Sequence, residues 1–225
     1  MNKYIFFVAH PDDETLGCGG TIKNLTTKKA KVKVFFFTRG EGSRDFDNIE
    51  LKNKEIERIA QCKKALKELG VKDFVFNDYP DNQLYKADFL NMVKNIETEI
   101  KKFKPNYIFT HYYGDLNIDH RIISRAVTTA ARPAHNPNIL GLYFFPTLSS
   151  TEWNYAQEEK FHGNYFVDIS KSLNSKIKAF NYYKSEKKKN YPRSQKAIKS
   201  LAIINGSHIG CEFAEAFKVG FIKKN

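Results

Sequence analysis

Short apolar runs alternating with helix-length amphipathic segments constrain this chain more than any other feature. Residues 4–8, 32–38, 74–77 and 107–110 are rich in Val, Ile, Phe and Tyr and are bounded by turn or polar residues, as buried strands are. Helices are predicted between them at 15–28, 50–69 and 87–103, the third closing on Lys104-Pro105, a stop signal. A fourth begins near Asp119, carries Ile122, Ile123, Ala126, Val127 and Ala130 on one side, and ends before Pro133. This alternation predicts parallel pairing through right-handed crossovers, hence an α/β fold: a three-layer α/β/α sandwich around a Rossmann-like, mostly parallel sheet. Sites in such sheets gather at the carboxyl ends of the strands.

Beyond residue 132 the pattern loosens into a C-terminal elaboration. Pro133, Asn136, Pro137, Gly141 and Pro146 mark a connection, followed by strand-like runs at 142–145 and 165–167 and by helices at 171–188 and 194–204. With 225 residues, no internal repeat and no low-complexity linker, the chain reads as one domain over 1–225. Its α/β core with the candidate site covers 1–132, and 133–225 are appended strands and basic helices.

Composition narrows the partners. No apolar run exceeds six residues, against the ~20 of a membrane helix, which predicts a cytoplasmic protein without a membrane span. Cys18, Cys62 and Cys211 are widely spaced with no CxxC pair, so any metal must use His, Asp or Glu. The net charge is +12, and residues 171–199 hold ten basic residues against the single acid Glu186. Such a window attracts phosphate. It is equally the composition of a solvated helical face, and because 30 of the 37 basic residues are Lys we favour the solvated face.

Two clusters carry chemistry. His10-Pro11-Asp12-Asp13-Glu14 follows the first predicted strand, placing one imidazole and two carboxylates where sites collect. Asp13, three residues after His10, is spaced to share a metal with it, and Asp12 is left free to act on water. The same residues are good helix N-cap chemistry. The second cluster, His111 to Arg121, follows the fourth predicted strand and leads into a helix. A third ligand from this strand end would close a His, Asp, His set with an open position, the catalytic zinc arrangement. Zn²⁺ suits such a donor set, and the same open face accommodates Fe²⁺.

Ala9-His10-Pro11-Asp12-Asp13-Glu14 together with Asp119-His120-Arg121 resembles the PIG-L/LmbE family of metal-dependent N-deacetylases, which includes N-acetylglucosaminyl-phosphatidylinositol deacetylase. Gly17, Gly19-Gly20, Thr38-Arg39-Gly40-Glu41, Tyr79-Pro80-Asp81 and Ala214-Glu215-Ala216-Phe217 extend the resemblance. It implies His10, Asp13 and His120 as metal ligands, Asp12 as general base, and removal of acetyl from a GlcNAc-like 2-acetamido sugar. Two positions depart from the pattern. Many members carry His-Pro-Asp-His where this chain has Asn117-Ile118-Asp119-His120, and Arg-x-x-Glu where it has Arg58-Ile59-Ala60-Gln61.

Further assignments follow from chemistry and position. Asn117 and His208, the latter in a Gly-flanked segment, are candidate oxyanion partners. Arg44, Arg58, Asp81 and Asp115 are candidates to grip sugar hydroxyls or phosphate. Asp119 is expected to orient His120, and His111, His135 and His162 are read as structural. The expected partner is a small acetamido sugar bearing phosphate, not a specific nucleic acid, and self-association is compatible with the chain. Two alternatives compete: a nucleotide module with Leu16-Gly17-Cys18-Gly19-Gly20 cradling phosphate, although the spacing is not GxGxxG, and a basic nucleic-acid binder on the same fold.

Overall fold

A computed structural model describes residues 1–43, 46–156, 160–186 and 191–224. The first half runs β1 (Lys3–Val8), α1 (Asp13–Thr27), β2 (Lys31–Phe36), α2 (Asn48–Leu69), β3 (Asp73–Phe76), α3 (Phe89–Phe103), β4 (Tyr107–His111) and α4 (Ile118–Ala130). There follow β5 (Gly141–Phe145), β6 (Tyr165–Asp168), α5 (Leu173–Phe180), α6 (Gln195–Ser207) and β7 (Ala214–Ile222). The sheet order is β3-β2-β1-β4-β5-β7-β6. The first five strands in that order are parallel, and β7 runs antiparallel to both β5 and β6.

Strand alternation divides the core into two apolar layers. Phe6, Val8, Phe36 and Phe145 point to the side covered by α1, α2 and α5, meeting Leu16, Ile22, Leu66 and Phe180. Ile5, Phe7, Phe35 and Phe144 point to the side covered by α3 and α4, meeting Met92, Ile96, Ile123 and Val127. The expected three-layer α/β sandwich is present. Among the described residues, no helix is long and apolar enough to cross a membrane, and the three cysteines are free.

The Ala214-Glu215-Ala216-Phe217 motif opens an unpredicted strand, β7, inserted between β5 and β6. Three expectations are corrected. The basic helix expected at 171–188 stops at Phe180 and gives way to turns, and Lys187, Lys188 and Lys189 lie outside the described residues. Gly17 and Gly20 do not form a phosphate loop: they are buried within α1. A Cβ on Gly17 would come 2.4 Å from the Phe145 ring and one on Gly20 would come 2.6 Å from Ile169, so these glycines let the helix approach its neighbours. Nor is the basic window wholly a solvated face. Lys176 is buried, donating to Leu16 O at 2.8 Å and to Glu215 Oε1 at 2.6 Å.

Glu215 also accepts from Gly20 N at 2.9 Å and Thr21 N at 2.7 Å, so one carboxylate ties β7 to α1 and α5. Removing it strands a buried ammonium. Glu215→Ala is expected to cost about 3 kcal/mol or more, a fall in Tm of roughly 6–12 °C for a domain of this size. Thermal unfolding with an unchanged midpoint would contradict this.

Candidate metal centre

β1 is flanked by β2 on one side and β4 on the other, so the strand order reverses there and leaves a crevice at the carboxyl ends. Both chemical clusters open into that crevice. His10 leaves the end of β1, Asp12 stands at the N-cap position of α1 with no side-chain capping bond, and Asp13 is the first helical residue. His120 is in the first turn of α4, whose N-cap Asn117 accepts from the amides of Asp119 at 2.8 Å and His120 at 3.4 Å.

Asp13 is the meeting point. Its Oδ2 lies 3.2 Å from His10 Nδ1 and 3.3 Å from His120 Nε2, and those two ring nitrogens are 3.4 Å apart. His10, Asp13 and His120 thus offer donor atoms within 4.8 Å of one another. The far ring nitrogen of each imidazole faces other carboxylates. His10 Nε2 is 3.1 Å from Asp81 Oδ1 and 3.3 Å from Asp119 Oδ2, while His120 Nδ1 is 3.2 Å from Asp115 Oδ1. A carboxylate at the far nitrogen favours keeping a proton there, so the near nitrogen is the one that would give up its proton to a cation, as in metal-binding histidines. Asp13 Oδ1 is buried and has no hydrogen-bond partner among the described residues. Two inward imidazoles and an orphaned carboxylate oxygen fit a divalent cation.

The electrostatics follow from this crowding. Burial alone would lower His120, but Asp115 and Asp13 outweigh it and lift it to about 9. His10 is likewise raised against burial, by Asp81, Asp119 and Asp13. Asp13 is held well below the carboxylate range, its burial outweighed by His120 and His10. Burial keeps Asp12 above that range despite Arg193 and Arg58.

The carboxylates exchange the roles expected of them. Asp119, expected to orient His120, instead contacts His10 and accepts from Asn82 N at 2.7 Å and Leu84 N at 3.1 Å. Asp115, expected at a sugar hydroxyl, is fully buried behind His120 and accepts from the hydroxyls of Ser150 and Thr151. Asp81 also turns inward, to His10 and Thr38 Oγ1. Arg58 is buried, bonded to Glu41 at 2.7 Å, Ser185 at 3.1 Å, Pro11 O at 3.5 Å and Glu186, and lines the cavity that holds His10 and Asp12. His111 is structural but close, stacked on His120 at 3.8 Å. Its Nε2 accepts from Ala9 N at 2.9 Å, so the proton sits on Nδ1, toward Thr147 Oγ1 at 3.3 Å, and burial keeps the ring neutral.

His208 is not at this centre. It caps the C-terminus of α6, stacks on Phe166 at 5.3 Å and lines a separate depression with Phe161, His162 and Asn205. Arg44 lies outside the described residues. Asn117 does face the crevice, sharing a cavity of about 160 Å³ with His10, Asp12, Asp81 and Arg193. Arg193 is masked in sequence by the lysine-rich window around it. The one signal for it was its type, since it is the only Arg among the ten basic residues of 171–199 and Arg is favoured where planar, bidentate pairing is needed.

Asp115 is the carboxylate that faces His120 Nδ1, an ion-pair contact at 3.2 Å that assigns it to hold this ring. Asp115→Asn is expected to weaken zinc affinity about 10- to 100-fold, measured by competition with a chelator. Unchanged affinity would contradict this role.

Residues 5–131 match the family model PIG-L, described as GlcNAc-PI de-N-acetylase. The diacetylchitobiose deacetylase of Thermococcus kodakarensis is 26% identical over 97% of this chain and 83% of its own length. Among solved structures, N,N'-diacetylchitobiose deacetylase from Pyrococcus horikoshii superposes with a TM-score of 0.79 at 20% identity, covering 97% of this chain and 83% of that one. GalB, the 4-carboxy-2-hydroxymuconate hydratase from Pseudomonas putida KT2440, superposes with a TM-score of 0.78 at 17% identity, covering 100% and 98%. The two structural likenesses show the fold, which serves more than one reaction. With the family model spanning more than half its length, the chain belongs to the PIG-L family.

Proposed function

We propose that this protein is a zinc-dependent N-deacetylase that removes the acetyl group from a GlcNAc-like 2-acetamido sugar carried on a nucleotide, lipid or other glycoconjugate. The observation that carries this reading is the convergence of His10 Nδ1, His120 Nε2 and the Asp13 carboxylate beside Asp12. Similarity to a diacetylchitobiose deacetylase along nearly the whole chain supports the reaction class.

A divalent ion held by His10, Asp13 and His120 would supply Lewis acidity toward water and an amide carbonyl. The chain's own residues supply the rest. Asp12 takes the proton of the attacking water and delivers it to the departing nitrogen, a contribution of roughly 10²- to 10⁴-fold. Asn117 donates one amide N–H to Asn82 Oδ1 at 2.9 Å and offers the other as a neutral donor to the developing oxyanion. Asp81, Asp115 and Asp119 hold the two imidazoles. Amide and water become amine and acetate, with the proton passing through Asp12.

A screen over free GlcNAc, nucleotide-linked and lipid-linked acetamido sugars tests the proposal by measuring amine and acetate together. Equal release of both, lost on chelation and restored by zinc, is expected with at least one of them. Asp12→Asn is expected to retain zinc and lose turnover by at least about 100-fold. A fully active Asp12→Asn would refute the base assignment. Zinc-loaded protein that releases neither amine nor acetate from any of these sugars would contradict the deacetylase reading.

A further inference from the structure

We propose that Arg193 is a positioning residue that holds the Asp12 carboxylate in the orientation from which it exchanges a proton. The inference rests on the reading of Asp12 as base. It adds a residue from outside the stretch matched by the family model, since Arg193 lies well beyond residue 131.

The backbone of Asp12 is already fixed. Asp12 has φ 137°, ψ −27°, a sparsely populated region for a side-chain-bearing residue. Its amide donates to Glu14 Oε2 at 2.9 Å, and its carbonyl accepts from Thr15 N at 3.0 Å and Leu16 N at 2.9 Å. Glu14 is itself pinned by the Tyr183 hydroxyl at 2.6 Å. What remains free is the rotation of the carboxylate. Among the described residues, one hydrogen bond reaches that carboxylate, from Arg193 Nη1 to Oδ2 at 2.8 Å. Arg58 Nη1 stands off at 3.7 Å with its other donors committed elsewhere, so it does not take over the task.

Arg193 is anchored for such a role. Its Nε donates to Ser149 Oγ at 2.6 Å and Leu148 O at 3.4 Å, and Nη1 also meets Glu186 Oε2 at 2.7 Å. Ser149 adopts a left-handed φ of 64°, and its amide donates to Glu152 Oε1 at 2.6 Å, so the anchor is built into its own turn. The Arg193 side chain is 19% exposed and lines the cavity that His10 and Asn117 share. A planar guanidinium that is gripped along one edge and bonds a single carboxylate oxygen fixes the carboxylate plane, leaving Oδ1 to take the proton.

The test compares Arg193→Ala, Arg193→Lys, Asp12→Asn and the Arg193→Ala/Asp12→Asn double variant with the zinc-loaded parent on whichever acetamido sugar it turns over. Arg193→Ala is expected to lower kcat about 10- to 100-fold, the loss that roughly 1 Å of misplacement brings. KM should stay within about threefold and zinc content should match the parent, Tm is expected to fall because Asp12 and Glu186 lose their partner, and added guanidinium should restore part of kcat. Arg193→Lys, which folds with less disturbance, should fall between. In the Asp12→Asn background the Arg193 change should cost nothing further in residual turnover. Parental kcat in Arg193→Ala, an equal loss on top of Asp12→Asn, or a rise confined to KM would each overturn the proposal. An inactive Asp12→Asn beside an unimpaired Arg193→Ala would remove only the role of Arg193. A fully active Asp12→Asn would remove the base reading, and this proposal with it.

Discussion

The arrangement around Asp13 depends on charges buried where water cannot screen them. His10 and His120 each turn one ring nitrogen to Asp13 because carboxylates hold the other side. An isolated buried charge costs several kcal/mol, so such a cluster persists only when each member answers another. Asp115, Asp119 and Asp81 are answered in turn by hydroxyls, main-chain amides and imidazoles drawn from distant parts of the chain. The donor geometry proposed for a cation is therefore set by the shell behind it.

The fold supplies the positions. Parallel strands place the residues after β1 and β4 at one end of the sheet, and the reversal of strand order opens the crevice between them. The N-termini of α1 and α4 enter the same crevice, carrying Asp12, Asp13 and His120 on their first turns. The later segments close it from another direction. Glu186 and Arg193 reach Arg58 and Asp12, joining the C-terminal elaboration to the centre by ion pairs. The Lys176–Glu215 pair performs the equivalent task beneath α1.

The strands β1 to β4 and the helices between them were legible because their apolar runs are short, continuous and separated by turn residues. The strand β7 was not: Val219 and Ile222 lie in its second half, but its opening Ala-Glu-Ala-Phe lacks β-branched residues and buries a Glu that only a distant Lys explains. The two histidine-bearing motifs announced that donors would gather at the strand ends. Which carboxylate would serve which histidine did not follow from adjacency. Asp119 and His120 are consecutive in a helix and so point in different directions, whereas Asp115, outside α4, folds back behind His120. The buried partners of Arg58 were not legible, because a buried arginine and a ligand-gripping one look alike in sequence. Arg193 meets Asp12 across 181 positions, and no local pattern encodes a contact of that span.

The central claim is that His10, Asp13 and His120 hold one divalent ion. Crystals of the zinc-loaded protein, with anomalous differences recorded on both sides of the zinc edge, test it most directly. A single strong zinc peak is expected about 2.0–2.2 Å from His10 Nδ1, His120 Nε2 and an Asp13 oxygen. A zinc peak elsewhere in the molecule, with these three side chains bonded only to one another at full zinc loading, would contradict it.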